Sequence, residues 1–260
     1  MKLKFKKKIL FILMIINIIN FFIFFSLYYL IDYLLGNTKG KYYLVHFINN
    51  MIITYYTFYD LYITYFNFNN LLDKKLDYIP TIITMSLHIY HIVAYFNKLV
   101  FDDWLHHILM IFIALPIGIY INCGSLLGHS LFYLTGLPGG INYLLLFLTR
   151  NNLLDRITQK KYNTIINLWL RSPGCIIQSG LCFIVFVNNY EKFDNIFKII
   201  CAILGVILPF WNGVYFMNQV VSNYAIESYK LKLIKYVLNL TRKKSLSHKT
   251  LCTFLYVAYH

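Results

Sequence analysis

Long apolar runs broken by short polar interruptions set the pattern of this chain. A bilayer-spanning helix needs about 20 mostly apolar residues, and seven stretches fit that length: 9–31, 43–66, 79–97, 105–121, 126–148, 164–187 and 196–220. The pattern predicts an all-α fold, a polytopic membrane helix bundle of about seven transmembrane helices. Lysines at 2, 4, 6, 7 and 8 precede the first run, which is too long for a signal peptide and lacks a small-residue cleavage site. Residues 1–42 are therefore expected to form a retained signal-anchor helix and loop, 43–225 the membrane domain, and 226–260 a basic C-terminal tail.

Several interruptions sit inside the runs and say which faces turn inward. His46, Asn49, Asn50 and Asp60 give 43–66 a polar side that must face other helices rather than lipid. Thr81, Thr84, His88 and His91 follow helical spacing and form one stripe. Pro116 and Gly118 allow a kink near the end of the fourth run. Gly136-Leu137-Pro138-Gly139-Gly140 predicts a broken helix lining an interior, because freed backbone groups at membrane depth need cover. Residues 150–162, with Arg150, Arg156, Lys160 and Lys161, read as a polar loop.

Composition agrees: 59% of residues are hydrophobic and 13% charged, too little polar surface for an ordinary soluble domain. The net charge of +14 lies next to the apolar runs and in the tail, which points to membrane lipids as partners and not to nucleic acid. A homo-oligomer is compatible with such a chain. The cysteines at 123, 175, 182, 201 and 252 have no paired spacing and read as small core residues.

The densest chemistry is Phe101-Asp102-Asp103-Trp104-Leu105-His106-His107 at the mouth of an apolar run. Helical i, i+4 spacing lets Asp103 accept from His107 and Asp102 from His106, which would fix the imidazole tautomers and prepare a general base. The alternative is that the two acids form a solvated loop and helix N-cap. A helical hairpin would also bring His88 and His91 to the same end of the bundle. No metal is assigned to these histidines, since only one adjacent His pair exists, and His88 and His129 read as polar packing contacts. Arg171 lies a few residues into an apolar phase, where it must pair with an acid, a carbonyl, or a lipid phosphate or carboxylate.

The order of features resembles the TLC domain family, which includes the ceramide synthases. In that family a tyrosine-rich helix leads through a short acidic loop into a helix opening with His-His, as Tyr90 to His107 does here. A Pro- and Asn-bearing segment and an Asn-x-x-x-Arg helix follow, matched by Leu137-Pro138 to Asn142 and by Asn167 to Arg171. The resemblance implies a lipid-related protein of the endoplasmic reticulum or a related endomembrane, acting in lipid synthesis or homeostasis. If enzymatic, it implies acyl transfer from acyl-CoA with His106 and His107 as base and orienting partner, Asp102 and Asp103 in support, and no bound cofactor. His91, Asn142, Asn167 and Arg171 are then the substrate-binding candidates. The chain departs from the ceramide synthases in having no Asp or Glu between Trp104 and Arg150. A non-catalytic lipid-binding or trafficking protein is therefore the alternative, beside a transporter suggested by the Gly-Leu-Pro-Gly-Gly break. The fatty acid elongases are a lesser resemblance, with Asp103 in the first His position of their HxxHH box.

Overall fold

The computed structural model describes residues 2–73 and 77–242, without the side chains of 2–10, Asp102 and 240–242. Lys74, Lys75, Cys252, the cationic side chains before residue 11 and the tail beyond 242 therefore lie outside the described residues. Among the described residues the protein is all-helical, 88% helix with no strand, and six helices are long and apolar enough to cross a membrane. Those six cover Phe11–Leu34, Ile79–Lys98, Asp103–Ile121, Ser125–Arg150, Arg156–Asn188 and Ile196–Asn239.

The seventh stretch does fold as a long helix, α2 (Lys41–Phe66), but it is not among the six. Its polar residues turn inward: His46, Asn49, Asn50, Thr57, Asp60 and Thr64 are all buried. The threonines satisfy themselves locally, since Thr54, Thr57 and Thr64 each donate to the carbonyl four residues back at 2.7 Å. Helix α2 is thus a polar spine against which Ile79–Tyr95, Ser125–Leu134 and Leu137–Arg150 pack. Helix α1 (Lys2–Leu34) leans on α3 (Ile79–Tyr95), and its apolar residues are mostly uncovered, as suits a lipid-facing helix. Polar pins fix it: Tyr28 donates to Asn49 at 2.7 Å, and Asp32 accepts from Lys41 at 2.9 Å and from Tyr95 at 2.6 Å.

The fourth run is not one helix. It comprises α4 (Phe101–Leu109), a π-helical turn at Met110–Ala114 and α5 (Leu115–Ile121). The sixth repeats the device, with α8 (Arg156–Ile166), a π-turn at Asn167–Arg171 and α9 (Ser172–Asn188). Both π-turns stand immediately before a residue–proline pair, and the cause is the same. Pro116 and Pro173 have no N–H for the carbonyl four residues back. The preceding residue reaches one residue further instead, Leu115 N–H to Met110 O and Ser172 N–H to Asn167 O.

Between these runs, α6 (Ser125–Leu134) and α7 (Leu137–Arg150) form the fifth run, broken at Thr135-Gly136. The expected break is present, but its glycines meet α2. A Cβ on Gly139 would stand 2.8 Å from the Asn50 amide nitrogen, and one on Gly140 3.2 Å from the Met51 sulfur. Their purpose is close helix packing.

Two boundaries differ from the sequence reading. Helix α8 starts at Arg156 inside the expected polar loop, because Asp155 caps it by accepting from the Thr158 N–H at 2.9 Å. The Thr158 side chain, together with that backbone bond, holds the Asp155 carboxyl below its usual value. Helix α10 (Ile196–Arg242) runs on far past residue 220, so the first part of the expected tail is helical. Pro209 inside it leaves the Gly205 carbonyl without its helical donor.

Candidate functional site

Adjacent residues on a helix point about 100° apart, and α4 uses this to send its two histidines to different places. His107 is buried at 1% exposure and its Nδ1 lies 2.8 Å from His88 Nδ1, a hydrogen bond in which one ring donates and the other accepts. His106 is exposed and lines an apolar cavity.

Behind His107 the imidazoles are packed together. His91 stands 5.7 Å from His107 between ring centroids and stacks on His46 at 4.0 Å with 19° between planes. Tyr42 covers His46 and His91 at 4.4 and 4.5 Å, and Tyr143 stacks on the other side of His46 at 4.1 Å. Both His91 nitrogens and His107 Nε2 are buried without a hydrogen-bond partner among the described residues. His46, from α2, is the member that spacing alone did not assign to the site. Its signal was present in the Asn49–Asn50–Asp60 stripe, which had to face an interior.

His88, His106 and His107 bring ligand nitrogens within 4.8 Å of one another, the grouping among the described residues that could hold a metal ion. The geometry is that of hydrogen-bonded rings. Tetrahedral Zn–N bonds of about 2.0–2.1 Å would hold two nitrogens roughly 3.4 Å apart, further than the 2.8 Å between His88 and His107.

The cavity before His106 has a volume of about 290 Å3 and is walled by α4, α5, α6, α9 and α10 together with both π-turns. It spans Leu105 to Ile121 along one wall, about 24 Å at 1.5 Å per residue. Leu109, Ile113, Ile117, Leu127 and Leu208 give it an apolar surface. Near His106 stands Arg171, whose Nη2 donates to Asn212 Oδ1 at 3.1 Å and whose guanidinium lies 4.5 Å over the Phe216 ring. Its Nε is buried and unpartnered. Gly205, with its freed carbonyl, lines the far end opposite Ile121.

The remaining candidates fall as follows. Asp103 does not pair with His107: its Oδ2 accepts from the Val100 backbone N–H at 3.2 Å, closing the start of α4. His107 instead turns its Nδ1 to His88 and leaves its Nε2 without a partner among the described residues. The expected Asp102–His106 pair falls on a side chain outside the described residues. His91 sits in the closed imidazole cluster and not on the cavity. Asn167 donates to Asn163 Oδ1 at 2.9 Å and keeps its own Oδ1 buried and unpartnered, as is Asn142 Oδ1. His129 is fully engaged elsewhere, with Nδ1 2.6 Å from Gln178 Oε1 and Nε2 3.0 Å from the Tyr65 hydroxyl. The described cysteines are all free.

No family model, curated protein or solved structure matches this chain.

Proposed function

We propose that the protein is a multi-pass endomembrane protein of TLC type that binds a long acyl chain and transfers it at His106. The observation carrying this reading is that His106 and Arg171 line one apolar cavity that runs about 24 Å along α4 and α5. An apolar cavity with a few convergent polar groups suits a ligand that is mostly hydrocarbon with one reactive end. Helix α2, the polar helix beside the six apolar ones, serves as the seventh span in this reading, and the endoplasmic reticulum is the expected membrane.

In the chemistry, the acyl chain lies along α5 and α9 with its thioester carbonyl beside His106. An acceptor amine or hydroxyl gives its proton to His106 as it attacks that carbonyl. The C–N or C–O bond forms, the C–S bond breaks, and the imidazolium returns the proton to the leaving thiolate. Arg171 holds an anionic group of donor or acceptor. His107 works at one remove: held by His88, it fixes the α4 register that aims its neighbour into the cavity.

Cells expressing the wild type or His106→Ala at matched levels provide the test, read by mass spectrometry of lipid classes. One class should change with the wild type and return to baseline in the variant. Identical profiles would contradict acyl transfer and leave lipid binding without catalysis.

A further inference from the structure

A second cavity of about 610 Å3 opens beyond the first, and its chemistry is the opposite. It is lined by Arg150 from the end of α7, Arg156 and Lys160 from α8, and the amides of Asn152, Gln159 and Asn223. The acid that faces these cations is Glu227 on α10, 2.8 Å from Arg156 and 3.9 Å from Lys160. Asp155 is engaged as the α8 cap. Three cations therefore meet one carboxylate, and the amides add neutral donors. Arg150 also lies 5.9 Å over the Tyr43 ring.

The two cavities are stacked along the same helices. On α10, Phe216 and Gln219 line the apolar one, and Val220 and Asn223, the next turn, line the basic one. On the α8 side, Asn163 borders the basic cavity and Arg171 the apolar one, eight residues or about 12 Å apart. Asn167 sits between them, bonded to Asn163 at 2.9 Å. A single polar edge, Lys160–Asn163–Asn167–Arg171, thus leads from one to the other.

We propose that the basic cavity binds the phosphate group of an amphiphile whose hydrocarbon chain occupies the apolar cavity. Placing the chain rests on the function proposed above, whereas the phosphate site stands on its own residues. Planar guanidinium groups and amide donors around a concave space match the several oxygens of a phosphate ester, and basic recesses between membrane helices bind phospholipid headgroups on this principle. Glu227 keeps Arg156 and Lys160 in place and yields when phosphate arrives. The phosphate belongs either to a membrane phospholipid or to a soluble phosphate ester.

Native mass spectrometry of the full chain tests this with three probes: phosphatidic acid, a long-chain acyl-CoA, and an uncharged long-chain alcohol. The double variant Arg156→Gln/Lys160→Gln should lose about tenfold or more in affinity for a phosphate-bearing probe and retain the alcohol. Whichever phosphate probe shows the loss identifies the source. Equal affinities in wild type and variant, or a parallel loss of the alcohol, overturn the proposal. Should the double variant fail to fold, Glu227→Gln replaces it: freeing the cations should tighten phosphate binding several-fold, and no change overturns the proposal. His106→Ala should keep phosphate affinity, so failure of the acyl-transfer reading is seen separately.

Discussion

On either side of α4 lie two regions that meet at His88, whose ring stands 5.0 Å from both His106 and His107, and that otherwise differ in chemistry. Behind it, His107, His88, His91 and His46 form a closed cluster of stacked and hydrogen-bonded rings walled by Tyr42 and Tyr143. In front of it, His106 faces an apolar cavity with Arg171 as its cationic neighbour. A ring that is buried and already bonded positions its surroundings, while a ring on an open wall can meet a substrate. A His-His pair in a sequence is therefore two residues with two jobs, divided by the 100° between them.

The largest expected effect separates the two directly. His106→Ala should reduce acyl transfer by at least about 100-fold, the low end of what a general base contributes, while leaving the melting temperature of the purified protein within a degree or two. His107→Ala should do the reverse first, destabilising the fold by about 1–3 kcal/mol because His88 is left buried without its partner. Thermal unfolding in detergent reads this. If both variants lose activity with unchanged melting, the division between the regions collapses.

A middle-sized effect concerns the bundle that holds the cavity walls. A Cβ on Gly174 would fall on the Tyr133 ring, so Gly174→Ala should cost about 1–3 kcal/mol through overpacking. The α6–α9 contact would loosen, with lost activity following from stability. Smaller still, Gly205→Leu at the far end should shift substrate preference toward shorter chains with little change in stability, since only Ile121 lies within 4 Å of its Cβ position, at 3.8 Å. Competition between chain lengths measures that shift. The smallest is Asp103→Asn, which keeps an acceptor for the Val100 N–H. It should leave activity within a few-fold of wild type and cost under about 1 kcal/mol. A loss as deep as that of His106→Ala would return Asp103 to the catalytic group.

Much of this was legible in the chain. The apolar runs located every long helix, and helical spacing placed Thr81, Thr84, His88 and His91 on one buried face. The approach of His88 and His91 to His106 and His107 followed from a short connection between two helices. The π-turns were not foreseen. Pro116 and Pro173 marked the places, but a missing N–H can be met by a kink or by a shift to the carbonyl five residues back, and only packing chooses. The start of α8 was hidden because Arg156, Lys160 and Lys161 lower hydropathy without preventing a helix, and a single cap at Asp155 decides the boundary. His46 joined the site through a contact between helices distant in sequence, which periodicity within α2 cannot specify. Conversely, spacing allows the Asp103–His107 pair, but Asp103 closes the start of α4 on the Val100 N–H and His107 meets His88 from another helix.

The most direct test of the central claim asks what fills the cavity before His106. A diazirine-bearing long-chain fatty acyl probe, photolysed on the full-length protein in lipid nanodiscs and mapped by peptide mass spectrometry, gives the answer. Labels on Ile113, Leu127 and Leu208, competed by unlabelled acyl chains and removed when Ala114→Trp fills the cavity, are the predicted result. Labels confined to lipid-facing positions such as Phe11 and Phe22, unchanged by the filling substitution, would contradict an acyl-binding site.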